Sequence, residues 1–135
     1  MRPSPEVRRL VALRAAGQCE YCRIHEDWKA SAHQVDHVIA EKHGGQTVLE
    51  NLALCCTSCN LRKGSDIASH DPATGGLTPL FNPRTQDWSA HFFLEDERLL
   101  GRTPEGRTTV EFLRLNTFER LVERTELIHA GFYFV

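Results

Sequence analysis

Apolar residues recur at helical spacing near the start of the chain: Val7, Leu10, Val11 and Leu13 fall within residues 5–16. Ser4 is placed to cap this segment and Pro5 suits its first turn, so a helix over 5–16 is predicted, ended by Gly17. The pattern then changes. The segment AHQVDHVI at 32–39 has the β-branched enrichment of a strand and carries Asp36 and His37, and residues 51–55 read as a short second strand. Gly44-Gly45 marks a loop over 41–47 between them, and a helix is expected through 56–64, giving a local order β-β-α. Residues 70–76 break regularity. Further on, 88–94 reads as a strand, 101–107 as a loop, and 109–129 as one long helix with an apolar face of Val110, Leu113, Phe118, Leu121, Val122, Leu127 and Ile128. The expected fold class is α+β, a single domain over 1–135 in which a core at 5–64 is covered by an extension at 78–135.

Composition narrows the function classes. Hydrophobic content of 41% and charged content of 25% are ordinary for a globular protein, and no stretch reaches the roughly 18 apolar residues that span a bilayer. The first residues run into a charged segment rather than an apolar one, so no secretory signal is read and a cytoplasmic location is the default expectation. The net charge of −2 is unevenly placed: residues 1–64 hold nine Lys/Arg against seven Asp/Glu (+2), and 65–135 hold seven against eleven (−4). A phosphate-facing surface is therefore expected in the first half.

Five cysteines cannot all pair within one chain, and their spacing is more informative than their number. Cys19-Glu20-Tyr21-Cys22 and Cys56-Thr57-Ser58-Cys59 are two C-x-x-C knuckles, the arrangement in which two tight turns each offer two thiolates to a tetrahedral Zn²⁺. Cys55 competes with Cys56 for a place in this tetrad; the spacing favours Cys56 and leaves Cys55 in the core.

Taken in order, Cys19-x-x-Cys22, Val35-Asp36-His37-Val38-Ile39, Gly44-Gly45, Glu50-Asn51-Leu52 and Leu54-x-Cys56-x-x-Cys59-Asn60-x-x-Lys63 resemble the HNH endonuclease family, in the branch whose ββα-metal motif lies between two cysteine knuckles. The resemblance covers roughly residues 5–64. It implies a small ββα-metal (His-Me finger) core stapled by a structural zinc, acting on DNA. It implies His37 as general base, Asn51 bracing the hairpin loop, and Asp36 with Asn60 holding a catalytic divalent ion. The third letter departs from the strictest pattern: Asn60 makes the triad His-Asn-Asn, and its oxygen donor tilts the expected metal toward Mg²⁺ or Mn²⁺.

The chemistry gives independent reasons for these residue types. Phosphodiester hydrolysis needs a deprotonated water, a Lewis acid on the phosphoryl group and charge relief for the leaving alkoxide. A neutral imidazole with an ordinary pKa near ~6.5 can take the proton, while a carboxylate and an amide oxygen suit a hard cation. Lys63 and Arg62 are candidate phosphate contacts, and so is His43 beside Gly44-Gly45. The remaining histidines, 25, 33, 70, 91 and 129, read as surface or structural; Trp88, Phe92 and Phe93 read as core rather than as base-stacking groups. One rival reading is a zinc-knuckle module that binds nucleic acid or a protein without cutting, against which stand the intact Asp36, His37, Asn51 and Asn60; a second is a structural subunit whose knuckles and acidic C-terminal half serve a larger assembly. Oligomeric state is not readable.

Overall fold

Ser4 begins the first helix as its spacing suggests. In the computed structural model, which describes residues 1–135, its hydroxyl accepts the Val7 N–H at 3.2 Å and α1 runs Pro5–Arg14. The helix is shorter than expected because Ala16 and Gly17 both adopt positive φ and turn the chain away. Its buried face is Val11 with Val7 beside it, whereas Leu10 and Leu13 point outward. That face packs on Leu52 and Leu54 to form a small satellite core.

The central hairpin pairs β1 (Gln34–His37) antiparallel with β2 (Leu52–Cys55), in the register Val35 with Leu54, Asp36 with Ala53 and His37 with Leu52. Strand alternation turns Asp36 inward, and His37 lies on the opposite, half-buried face. The long connection is organised by two 3-10 turns, Glu41–His43 and Leu49–Asn51. Gly45 is required there: a Cβ at this position would run into the Ile39 carbonyl oxygen and the Asn51 amide. Helix α2 (Thr57–Lys63) follows β2 at once, with Cys56 as its N-cap.

The rest of the chain adds two more hairpins, β3 (Ala68–His70) with β4 (Leu77–Pro79) and β5 (Phe92–Glu95) with β6 (Arg98–Gly101), and three helices. These are α3 (Trp88–His91), α4 (Pro104–Phe112) and α5 (Phe118–Ala130). Three expectations are corrected here. Trp88 to His91 form a helical turn before the strand begins at Phe92. The expected loop at 101–107 already contains the start of α4, because Thr103 caps the Gly106 N–H and Pro104 takes the first helical position. The expected single helix over 109–129 is two helices: Arg114 has φ 51°, and Thr117 caps a new start.

The main core joins the cysteine knuckles to this C-terminal portion. Tyr21, Phe81, Trp88, Phe92, Leu99, Leu113 and Leu115 are all buried against the cysteines. The Trp88 indole stacks on Phe92 and donates its Nε1–H to the Tyr21 carbonyl at 2.9 Å, so Trp88 and Phe92 serve the core as expected. Asp71, only 1% exposed, receives Arg107 in a two-pronged ion pair that ties the β3–β4 turn to α4. No helix is long and apolar enough to cross a membrane.

Candidate active site and metal centre

Two turns built from unlike sequence converge on one four-cysteine cluster. The Sγ atoms of Cys19, Cys22, Cys56 and Cys59 lie within 4.8 Å of one another, all buried, with Cys22 and Cys56 at 3.7 Å. A tetrahedral zinc with Zn–S bonds of about 2.3 Å sets its sulfurs about 3.8 Å apart, so the set fits the ion. Cys55 lies outside the cluster, buried on β2. Burial pushes the Cys19 thiol well above its ordinary range, so a cation is what would hold it deprotonated. The nearest cationic side chain comes from the far end of the chain: Arg120 on α5 donates to Cys59 Sγ at 3.1 Å and reaches Cys56 Sγ at 3.9 Å.

Tyr21, between the first two cysteines, extends from the metal cluster to the hairpin. Its hydroxyl donates to Asp36 Oδ2 at 3.3 Å. The same carboxylate oxygen is paired at 3.0 Å with Lys63 Nζ, which also donates to the His37 carbonyl at 3.1 Å. Burial raises the Asp36 pKa, and Lys63 opposes that rise. Lys63 itself is 2% exposed. It is therefore not a surface phosphate contact in this structure, because the helix turns it inward onto the carboxylate; Arg62 is the basic residue that α2 presents outward.

Asp36, His37 and Asn60 line one open cavity of about 490 Å³. Asp36 Oδ1 has no hydrogen-bond partner. The Asn60 amide nitrogen donates to Gln34 Oε1, which leaves its oxygen free. His37 Nε2 is 2.9 Å from Thr47 Oγ1 and 3.6 Å from Glu41 Oε1. Burial lowers the His37 pKa and the nearby N-terminal ammonium adds to that, with Asp36 opposing, which favours the neutral imidazole.

Asn51 is not among the residues lining the cavity, and its side chain makes no hydrogen bond to the His37 ring. Its Oδ1 accepts the Ile39 N–H at 2.9 Å, and its Nδ2 donates to the carbonyls of Ile39 and Gln46, both at 2.9 Å. The side chain thus closes the loop that carries Thr47 to the imidazole. His43 is exposed on the Glu41–His43 turn. His33 is buried and bonds the Ile24 carbonyl at 2.8 Å, a structural role. Tyr21, Gln34, Glu41 and Thr47 escape a reading by spacing. Only Tyr21 and Glu41 carry a signal, the first inside a knuckle and the second four residues after His37.

Comparison with known proteins agrees with this geometry. Residues 19–66 match the family model described as HNH endonuclease. The chain is 29% identical over 126 residues to Septu protein PtuB of Bacillus thuringiensis, an alignment covering 92% of this chain and 46% of that protein. The chain thus spans about half the length of that relative. No solved structure matches.

Proposed function

We propose that the protein, whose residues 19–66 match the HNH endonuclease family model and contain the four-cysteine cluster, hydrolyses DNA phosphodiester bonds using His37 as general base and one divalent ion. The observation that carries this reading is that one open cavity is lined by three residues that each keep an atom without a hydrogen-bond partner: Oδ1 of Asp36, the amide oxygen of Asn60 and Nδ1 of His37, whose Nε2 is taken by Thr47.

Asp36 and Asn60 would hold the ion, and two hard oxygen donors suit Mg²⁺ or Mn²⁺. The chemistry such an ion would supply when bound is polarisation of the phosphoryl oxygen and charge relief at the leaving 3′-oxygen. His37 holds the mechanism's proton. With Nε2–H donated to Thr47 Oγ1, Nδ1 keeps its lone pair and takes the proton of the attacking water. Asn51 keeps the loop closed so that Thr47 stays at the ring. Lys63 holds Asp36 in its rotamer and offsets its charge. His43 lies on the exposed turn next to the cavity as a contact for flanking phosphate. The products are 5′-phosphate and 3′-hydroxyl ends, and a single such centre cuts one strand per encounter.

Supercoiled plasmid supplies the test. Divalent-dependent nicking is expected of the parent protein and is lost in His37→Ala, which keeps its zinc and its DNA binding. A zinc-loaded parent that binds DNA and leaves it whole would favour the non-catalytic module instead.

A further inference from the structure

Most of the arginines in the acidic half of the chain are already engaged. Of the seven after residue 64, Arg84 pairs with Glu20 and Arg107 with Asp71. Arg120 lies on the cysteine cluster, Arg124 donates to the Leu115 carbonyl, and Arg102 covers the Phe93 ring while donating to the Phe92 carbonyl. Arg98 and Arg114 have neither an ion pair nor a side-chain hydrogen bond, and both line the same cavity of about 620 Å³. Its third arginine, Arg62, is likewise unpaired and comes from α2, two residues beyond Asn60.

Three further observations mark this cavity as built to receive something. Thr108, fully buried in α4, contributes to its lining, and its Oγ1 has no hydrogen-bond partner, although a buried hydroxyl ordinarily finds one. Asn116 fixes the wall by exchanging two hydrogen bonds with the Leu99 backbone, at 3.0 and 2.8 Å, which locks the strand carrying Arg98 to the turn carrying Arg114. The cavity also continues into a second hollow of about 430 Å³ that shares Arg62, Arg114 and Thr117, so the two form one elongated groove. Glu111 and Glu119 lie along it too, against three free guanidinium groups.

A groove lined by three unpaired arginines suits an extended chain of anionic groups. We propose that it carries the sugar–phosphate backbone of the nucleic acid beside the scissile bond, with Arg62, Arg98 and Arg114 each neutralising a phosphate. This rests on the reading of nucleic acid as substrate but not on cleavage. The extension then acts as the second half of the binding surface, reached from the hairpin cavity across α2.

Binding is measured by fluorescence anisotropy with no divalent ion added, on labelled duplex DNA, single-stranded DNA and RNA of equal length, over a range of salt. Arg98→Gln/Arg114→Gln is expected to bind about tenfold more weakly on at least one probe, with the log–log salt slope reduced by about 2, roughly one for each phosphate left without its arginine. The probe showing that weakening identifies the strand the groove holds. Arg98→Lys/Arg114→Lys keeps most of the slope, and Arg62→Gln alone lowers it by about 1. Zinc content and circular dichroism establish that each variant is folded; should the double variant not fold, Arg62→Gln and Arg98→Gln are read singly. Unchanged affinity and slope in folded variants would overturn the proposal, as would a parent that binds none of the three probes. A parent that binds through these arginines and cuts nothing would support the groove while removing the nuclease reading.

Discussion

A lysine with 2% of its surface exposed must place its charge against something, and Lys63 places it 3.0 Å from Asp36. Removing one partner of such a pair leaves an uncompensated buried charge. Lys63→Met is therefore expected to lower unfolding free energy by about 3 kcal/mol, read as a shift in denaturant midpoint. Unchanged stability with weakened DNA binding would instead return Lys63 to a phosphate. The position of Lys63 one turn after Asn60 was legible in the sequence, but not which way it faces. That depends on which side of α2 the strand β1 covers, a tertiary fact that local spacing does not contain. Thr47 was hidden for a related reason: it reaches His37 only because Asn51 and Gly45 let the loop close. That Asp36, His37 and Asn60 come to line one cavity was readable because the cysteine knuckles fix their register.

At the scale of elements, the C-terminal helices illustrate both the reach and the limit of periodicity. Apolar spacing runs through Leu113 to Phe118 without a gap large enough to reveal a break, yet Thr103-Pro104 and Thr117 were each a start signal of the capping kind. The separation has a mechanical result. Because α5 starts afresh at Phe118, it can set Arg120 on the thiols of Cys59 and Cys56, an approach a continuous helix from Thr109 would not have to make. Groups that hydrogen-bond metal ligands from outside typically change metal affinity by about 10- to 100-fold. Arg120→Met is accordingly expected to release zinc to a chromogenic chelator about tenfold faster than the parent. An unchanged release rate would reduce the contact to packing.

For the molecule as a whole, the order α1, hairpin, α2 and the four-cysteine cluster were legible, whereas the surface charge was not. Halving the chain by net charge assigns phosphate contact to the first half alone. On the groove proposal that sum would mislead, because it does not register that Arg98 and Arg114 stand free beside Arg62 while the other five arginines of the acidic half are internally engaged. The integration of the two portions leads to another prediction. The cysteines share one core with Trp88, Phe92, Leu99, Leu113 and Leu115, so stripping zinc should loosen the C-terminal portion as well as the knuckles. Loss of the near-ultraviolet signal of Trp88, together with new proteolytic cuts between residues 92 and 115, is expected when a chelator removes the metal. A segment that stays protected without zinc would mean that the extension folds on its own.

Tyr21 makes the two ends of the site mechanically dependent. Its backbone is fixed within a knuckle and braced by Trp88, while its hydroxyl reaches Asp36. On the proposed reading, one aromatic ring is a strut between an ion that only holds structure and an ion that does chemistry. Zinc occupancy would then act on the reaction as a gate rather than a dial: a chain without its zinc loses the orientation of the carboxylate and with it the second ion, instead of working at a reduced rate.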